Sequence, residues 1–123
     1  MTVAAVVVAG GRGVRFGGLK QFSRVAERSV AAHSVAAARA VADVVALVVP
    51  PGYEESDEGA DIVVSGGETR AASVRRGLAA LPACDIVVVH DAARPLASPS
   101  LFAAVVGAVR DGADGAIPGI RVT

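Results

Sequence analysis

VAAVVVAGGRGVRFGGLKQ, residues Val3 to Gln21, runs from an apolar segment straight into a glycine-rich loop carrying Arg12, Arg15 and Lys20. Val3 to Val8 is short, almost wholly apolar and rich in β-branched residues, which predicts a strand buried on both faces of a parallel sheet. Such a strand delivers its next loop to the carboxyl edge of the sheet, where open α/β folds bind ligands. Gly10, Gly11 and Gly13 let backbone N–H groups approach an anion, and the three cations add charge beside them. Two familiar phosphate motifs fail on inspection. Gly11-Arg12-Gly13-Val14-Arg15-Phe16 begins like a dinucleotide fingerprint, but Phe16 stands where the third glycine must allow close helix packing. Gly13 to Gly18 has P-loop spacing, yet Leu19-Lys20-Gln21 follows where Lys-Ser/Thr is needed to reach magnesium. The competing account of the stretch is a basic glycine loop with no ligand.

The 123 residues are 53% hydrophobic and 20% charged, enough for one globular domain with a real core. Twelve basic and twelve acidic residues cancel, so no global field points to nucleic acid or to an anionic membrane surface. Cys84 is the sole cysteine and can form no internal disulfide, which fits a reducing compartment; it reads as a small buried apolar residue. The first apolar run is too short to span a bilayer and has no basic region before it. These features predict a soluble, cytoplasmic protein.

Further along, Ser29 can cap a helix over about Val30 to Val41, with Val35, Ala38 and Ala42 on its inner face. His33 lies in that helix with no partner at metal-ligand spacing and reads as an ordinary helix residue. Val44 to Val49 is a second strand, stopped by Pro50-Pro51-Gly52 where a dinucleotide fold would want an acid for a ribose. Asp61 to Ser65 is a third, and Gly66-Gly67-Glu68-Thr69 turns it into a helix from about Arg70 to Leu81, with Val74, Leu78 and Leu81 as the expected inner stripe. Arg70 and Ser73 share a face of its first turn, where the helix dipole favours anions or carbonyl-rich ligands. Simple capping and solvation by Glu68, Thr69 and Arg70 is the alternative.

Asp85 to Val89 predicts a fourth strand, left by His90-Asp91-Ala92-Ala93-Arg94-Pro95. Asp91 could accept from a ribose or hold a divalent cation, and Arg94 could grip a phosphate; an Asp91–Arg94 ion pair that fixes the loop accounts equally for these residues. Ser98 and Pro99 open a helix to about Arg110 with Leu101, Val105, Ala108 and Val109 inward and Gly112 beyond its end. Gly115 to Thr123 is expected to begin another strand. Alternating strands and helices predict an α/β fold, a doubly wound, mostly parallel sheet with helices on both faces.

Three blocks together carry a resemblance. Val8 to Phe16 with Lys20-Gln21 resembles the signature loop of nucleotidyltransferases that join a nucleoside triphosphate to a sugar or polyol phosphate. Gly66-Gly67-Glu68-Thr69-Arg70-Ala71-Ala72-Ser73-Val74 and Val89 to Pro95 narrow this to the 2-C-methyl-D-erythritol 4-phosphate cytidylyltransferase family. The first block is shared in outline with other nucleotidyltransferases; the last two, in this order, are specific.

The resemblance implies a Rossmann-like nucleotidyltransferase fold and transfer of CMP from CTP to a polyol phosphate, with Mg2+ as cofactor, in non-mevalonate isoprenoid synthesis. It implies Arg15 and Lys20 as catalytic cations, and Ala9, Gly10, Gly11 and Gly13 as backbone contacts to the nucleotide. Gly67 and Ser73 match positions that read the cytosine, Glu68 a carboxylate near the ribose, and Arg70 lies with them on the nucleotide side. Asp91 and Ala92, with Arg94 toward the substrate phosphate, match the loop at the junction of nucleotide, metal and polyol phosphate. Ala9-Gly10-Gly11 departs from the commoner Ala-Ala-Gly. Family members continue well beyond position 123, so residues 1–123 are expected to be the nucleotide-binding part of one truncated domain. The acceptor-side arginine and lysine and the arm of the family's homodimer would then lie in the remainder. The alternatives are a ribitol 5-phosphate cytidylyltransferase or another sugar-phosphate nucleotidyltransferase, and a catalytically incomplete nucleotide-binding module.

Overall fold

In the computed structural model, four parallel strands lie side by side with helices packed on both faces of the sheet. The structure describes residues 2–9, 24–25, 28–55, 57–92 and 99–117. In chain order the elements are β1 (Val3–Val8), β2 (Arg24–Val25), β3 (Arg28–Ser29), α1 (Val30–Arg39), β4 (Val44–Val49), β5 (Ile62–Ser65), α2 (Arg70–Ala80), β6 (Ile86–Asp91) and α3 (Pro99–Arg110). β2 and β3 form a small antiparallel ribbon beside the main sheet. The main sheet runs β5-β4-β1-β6, every neighbouring pair parallel.

β1 and β4 occupy the middle of that order and are the most apolar segments of the chain, because both of their faces must be covered. Val3, Ala5 and Val7 of β1 join Val45, Leu47 and Val49 of β4 in one core with Ala31, Val35 and Ala38 of α1 and Phe102 and Val106 of α3. The other face of β1 and β4 meets α2, where a Cβ on Gly77 would lie 2.5 Å from Val6 Cγ1 and 2.9 Å from Val48 Cγ2. Two carboxylates fix the starts of the strands: Asp43 accepts from the Val3 N–H at 3.0 Å, and Asp61 from the Val45 N–H at 2.9 Å.

Five expectations need correction. The first helix ends at Arg39 rather than Val41, because the N–H groups of Ala40 and Val41 bond three residues back, to Ala37 and Ala38, and tighten the last turn. The fourth strand continues through His90 and Asp91, which pair with Val7 and Val8; the ladder outweighs the polarity of the side chains. The inner stripe of α2 is Ser73 and Gly77, while Leu78 is 41% exposed. Small residues bring this helix close to a valine surface, which a search for large apolar residues overlooks. In α3 the buried residues are Phe102 and Val106, with Val109 packed half-buried against the same core as expected, whereas Leu101 and Ala108 are exposed. The ring of Phe102 meets that of His90 edge to face at 4.9 Å. Of the strand expected from Gly115, residues 115–117 have no strand structure and the rest lies outside the described residues.

Candidate functional site

The order β5-β4-β1-β6 reverses direction at β1. Chain connections from β1 build outward through β4 to β5, and the next strand, β6, is laid down on the opposite side. The carboxyl ends of β1 and β6 therefore lie side by side at a switch point in strand order, the usual ligand position in doubly wound folds. Ala9 and Ala92 stand at that point. Ala9 is tied to β4 through its N–H to the Val48 carbonyl at 2.7 Å, and Ala92 to β1 through its N–H to the Val8 carbonyl at 3.0 Å.

The turn after β5 comes to the same edge. Gly66 is held by its N–H to the Val49 carbonyl at 2.7 Å, and the Gly67 N–H donates to Ser73 Oγ at 3.1 Å. A Cβ on Gly67 would stand 2.5 Å from that of Ala72, so glycine is needed here for the turn to fold against the helix it begins. Thr69 caps that helix, its Oγ1 accepting from the Ala72 N–H at 3.0 Å. Ser73 is buried; its hydroxyl orients the Gly67 peptide from beneath. Glu68 is exposed above it.

Arg70 joins the two halves. Alternation along β6 puts His90 on the face of α3 and Asp91 on the face of α2. From the first turn of α2, Arg70 Nε donates to Asp91 Oδ1 at 3.1 Å, with 60% and 41% of the two side chains exposed. The amino-terminal turn of α2, one guanidinium and one carboxylate thus meet at the carboxyl edge of the sheet. This set can hold an anion through the helix dipole and Arg70, and a cation or a hydroxyl through Asp91. Among the described residues no three His, Cys, Asp or Glu side chains gather to hold a metal. A single carboxylate nonetheless fits magnesium, which keeps water and phosphate ligands and takes one or two carboxylates from the protein.

Of the residues singled out from the sequence, Ala9, Gly67, Glu68, Arg70, Ser73, Asp91 and Ala92 come together at this edge. Gly10, Gly11, Gly13, Arg15, Lys20 and Arg94 lie outside the described residues. Sequence reading missed Ser34. It lies fully buried on α1, and its hydroxyl donates to the Ala92 carbonyl at 3.0 Å. The signal was a serine set among Ala31, Val35 and Ala38 on a core-facing stripe. A separate cavity of about 400 Å³ runs along the outer edge of β6, between Ile86 to His90, Leu101 and Val105 of α3, and Ile117. It is lined by none of the seven residues gathered at the carboxyl edge.

Residues 3–123 match the family described as 2-C-methyl-D-erythritol 4-phosphate cytidylyltransferase. The chain belongs to that family. A 2-C-methyl-D-erythritol 4-phosphate cytidylyltransferase of Cereibacter sphaeroides strain KD131 is 43% identical, the match covering all of this chain and 60% of that protein. The crystal structure of the family member from Thermus thermophilus superposes with a TM-score of 0.71 at 36% identity, over 89% of this chain and 50% of that one. Rv0371C of Mycobacterium tuberculosis H37Rv, solved in complex with manganese, has a TM-score of 0.70 at 20% identity, over 90% of this chain and 61% of that one; it attests the fold alone. The chain thus spans about half to 60% of the length of the family members it matches, and the doubly wound nucleotidyltransferase fold is common to all of them. Among the described residues no helix is long and apolar enough to cross a membrane.

Proposed function

We propose that this chain is the nucleotide-binding portion of an enzyme that transfers CMP from CTP to 2-C-methyl-D-erythritol 4-phosphate and releases pyrophosphate. The observation that carries the reading is the convergence at one edge of residues from three separate family blocks: Ala9 after β1, Gly67 to Ser73 around the start of α2, and Asp91-Ala92 at the end of β6. The blocks are far apart in sequence, and membership of the family gives that convergence its chemical meaning.

In this reading an oxygen of the acceptor phosphate attacks the α-phosphorus of CTP in line. The new P–O bond forms as the bond to the β-phosphate oxygen breaks, and pyrophosphate carries away the electron pair. Negative charge builds on the equatorial oxygens and the leaving group, so positioning and fixed positive charge supply most of the rate. Arg15 and Lys20 are the proposed source of that charge, with Ala9, Gly10, Gly11 and Gly13 offering backbone N–H groups to the triphosphate. The Gly67 turn, shaped by Ser73, faces the cytosine, and Glu68 and Arg70 flank the ribose and phosphates. Asp91 would hold Mg2+, which when bound neutralises triphosphate charge; Ala92 and Arg94 line the acceptor side. Acceptor binding and any pairing of subunits are assigned to the part of the family's length that lies outside residues 1–123.

The test is release of pyrophosphate by the protein as encoded, with CTP and each polyol phosphate in turn. Release that depends on 2-C-methyl-D-erythritol 4-phosphate supports the reading. Release that depends on ribitol 5-phosphate instead would transfer the acceptor assignment, and CTP binding without release under any acceptor would leave only a nucleotide-binding module.

A further inference from the structure

We propose that Ser34 is a positioning residue for nucleotidyl transfer, acting through the carbonyl of Ala92, the residue that follows Asp91; the inference rests on the cytidylyltransferase reading above. Ser34 is fully buried on α1, on the stripe formed by Ala31, Val35 and Ala38. A helical serine ordinarily turns its hydroxyl back to the carbonyl four residues earlier, or to water. This hydroxyl instead reaches across the core to Ala92 O, 58 positions away in sequence, at 3.0 Å. Alanine at position 34 would match the small residues around it and leave the packing of α1 on the sheet in place. What it would remove is the partner of a carbonyl at the carboxyl edge of the sheet.

The consequence follows from what else holds Ala92. Its N–H is fixed by the Val8 carbonyl at 3.0 Å and its side chain is fully buried. With Ser34 on the carbonyl, the residue is gripped through both of its peptide groups just where β6 ends. Asp91 stands one position earlier, and its carboxylate meets Arg70 of α2. Val8 holds the Asp91–Ala92 peptide and Ser34 the peptide after it, so Ala92 is fixed from both sides and the backbone that carries the Asp91 carboxylate is held with it. The hydroxyl also ties α1 to the point where β1 enters the glycine-rich loop, because Val8 is the partner of Ala92 on its other side.

The test compares Ser34→Ala and Ser34→Thr with wild type in the protein as encoded. It measures kcat and KM for CTP per correctly folded molecule, together with amide hydrogen exchange at Ala92, Val6 and Leu47. The expected result for Ser34→Ala is at least a fivefold loss in kcat/KM for CTP. Exchange at Ala92 should be at least tenfold faster with Val6 and Leu47 unchanged, and Ser34→Thr should recover part of the loss by restoring the hydroxyl. Wild-type kinetics in Ser34→Ala would overturn the proposal. So would faster exchange spread evenly over all three amides with the kinetic loss explained by unfolded protein, which is a purely structural role. If wild type itself releases no pyrophosphate from CTP, the cytidylyltransferase reading fails, and with it the catalytic consequence assigned to Ser34. Exchange then decides the remaining claim: acceleration confined to Ala92 sustains the hold on that peptide, and its absence overturns it.

Discussion

The guanidinium Nε of Arg70 lies 3.1 Å from Oδ1 of Asp91 and joins the first turn of α2 to the end of β6. Both side chains are more than a third exposed, so the pair contributes about 0–1 kcal/mol to folding. A pair of that kind is retained more readily for a ligand than for stability. Arg70→Ala is expected to change the unfolding free energy by less than about 1 kcal/mol while weakening CTP binding about tenfold, a change of ~1.4 kcal/mol. Chemical denaturation and calorimetric titration on the same preparation separate the two. A large stability loss with unchanged CTP affinity would make the pair structural.

Lys20 carries the proposed transition-state charge. Lys20→Ala in the protein as encoded should lower kcat by at least about tenfold, or ~1.4 kcal/mol of transition-state stabilisation, in a steady-state pyrophosphate-release assay. An unchanged kcat removes Lys20 from the catalytic set.

Gly77 is buried where α2 packs on the sheet. A methyl group there would stand 2.5 Å from Val6 Cγ1 and 2.9 Å from Val48 Cγ2, on strands buried from both sides. Gly77→Ala should therefore destabilise the fold by about 1–3 kcal/mol through overpacking, outweighing the alanine's better helix propensity of roughly 1 kcal/mol. Urea denaturation measures it. A stabilised variant would mean that the helix shifts freely on the sheet.

Asp61 is held below its ordinary pKa, first by the Val45 N–H and then by the Arg39 guanidinium 3.0 Å away. Its folded pKa is lower than its unfolded one, so between the two the unfolded chain binds more protons and stability rises with pH. The contribution is complete above about pH 4, the unfolded carboxylate range, and is lost as pH falls through the folded value. Asp61→Asn should cost on the order of 1 kcal/mol or less at pH 7, since the pair is well exposed. The gap to wild type should close on acidification below pH 4. Denaturation midpoints across that range test it, and a gap that widens on acidification would reverse the assignment.

The parts of this fold most legible in the sequence are those where one physical requirement dominates. Val3–Val8 and Val44–Val49 must be apolar on both faces, and both are found with the expected bounds. Legibility falls where two requirements compete. His90 and Asp91 read as a loop by polarity, but their backbones complete the ladder with Val7 and Val8. Val74, Leu78 and Leu81 read as the inner stripe of α2 by size, but the small Ser73 and Gly77 are the residues buried against the sheet. Relations across the chain are harder still: the sequence points to Arg70 and Asp91 separately, yet nothing in the spacing of 21 residues pairs them, and the bond from Ser34 to Ala92 spans 58.

The central claim is that the carboxyl edge of the sheet, where β1, the start of α2 and β6 meet, is a CTP site. Amide chemical-shift mapping with CTP, GTP and ATP, with and without Mg2+, tests it most directly. The account predicts that CTP, in preference to GTP and ATP, shifts Ala9, Gly67, Ser73, Asp91 and Ala92 and leaves Val105 and Ile117 in the groove beside β6 unmoved. Shifts centred on that groove, or equal responses to all three nucleotides, would contradict it.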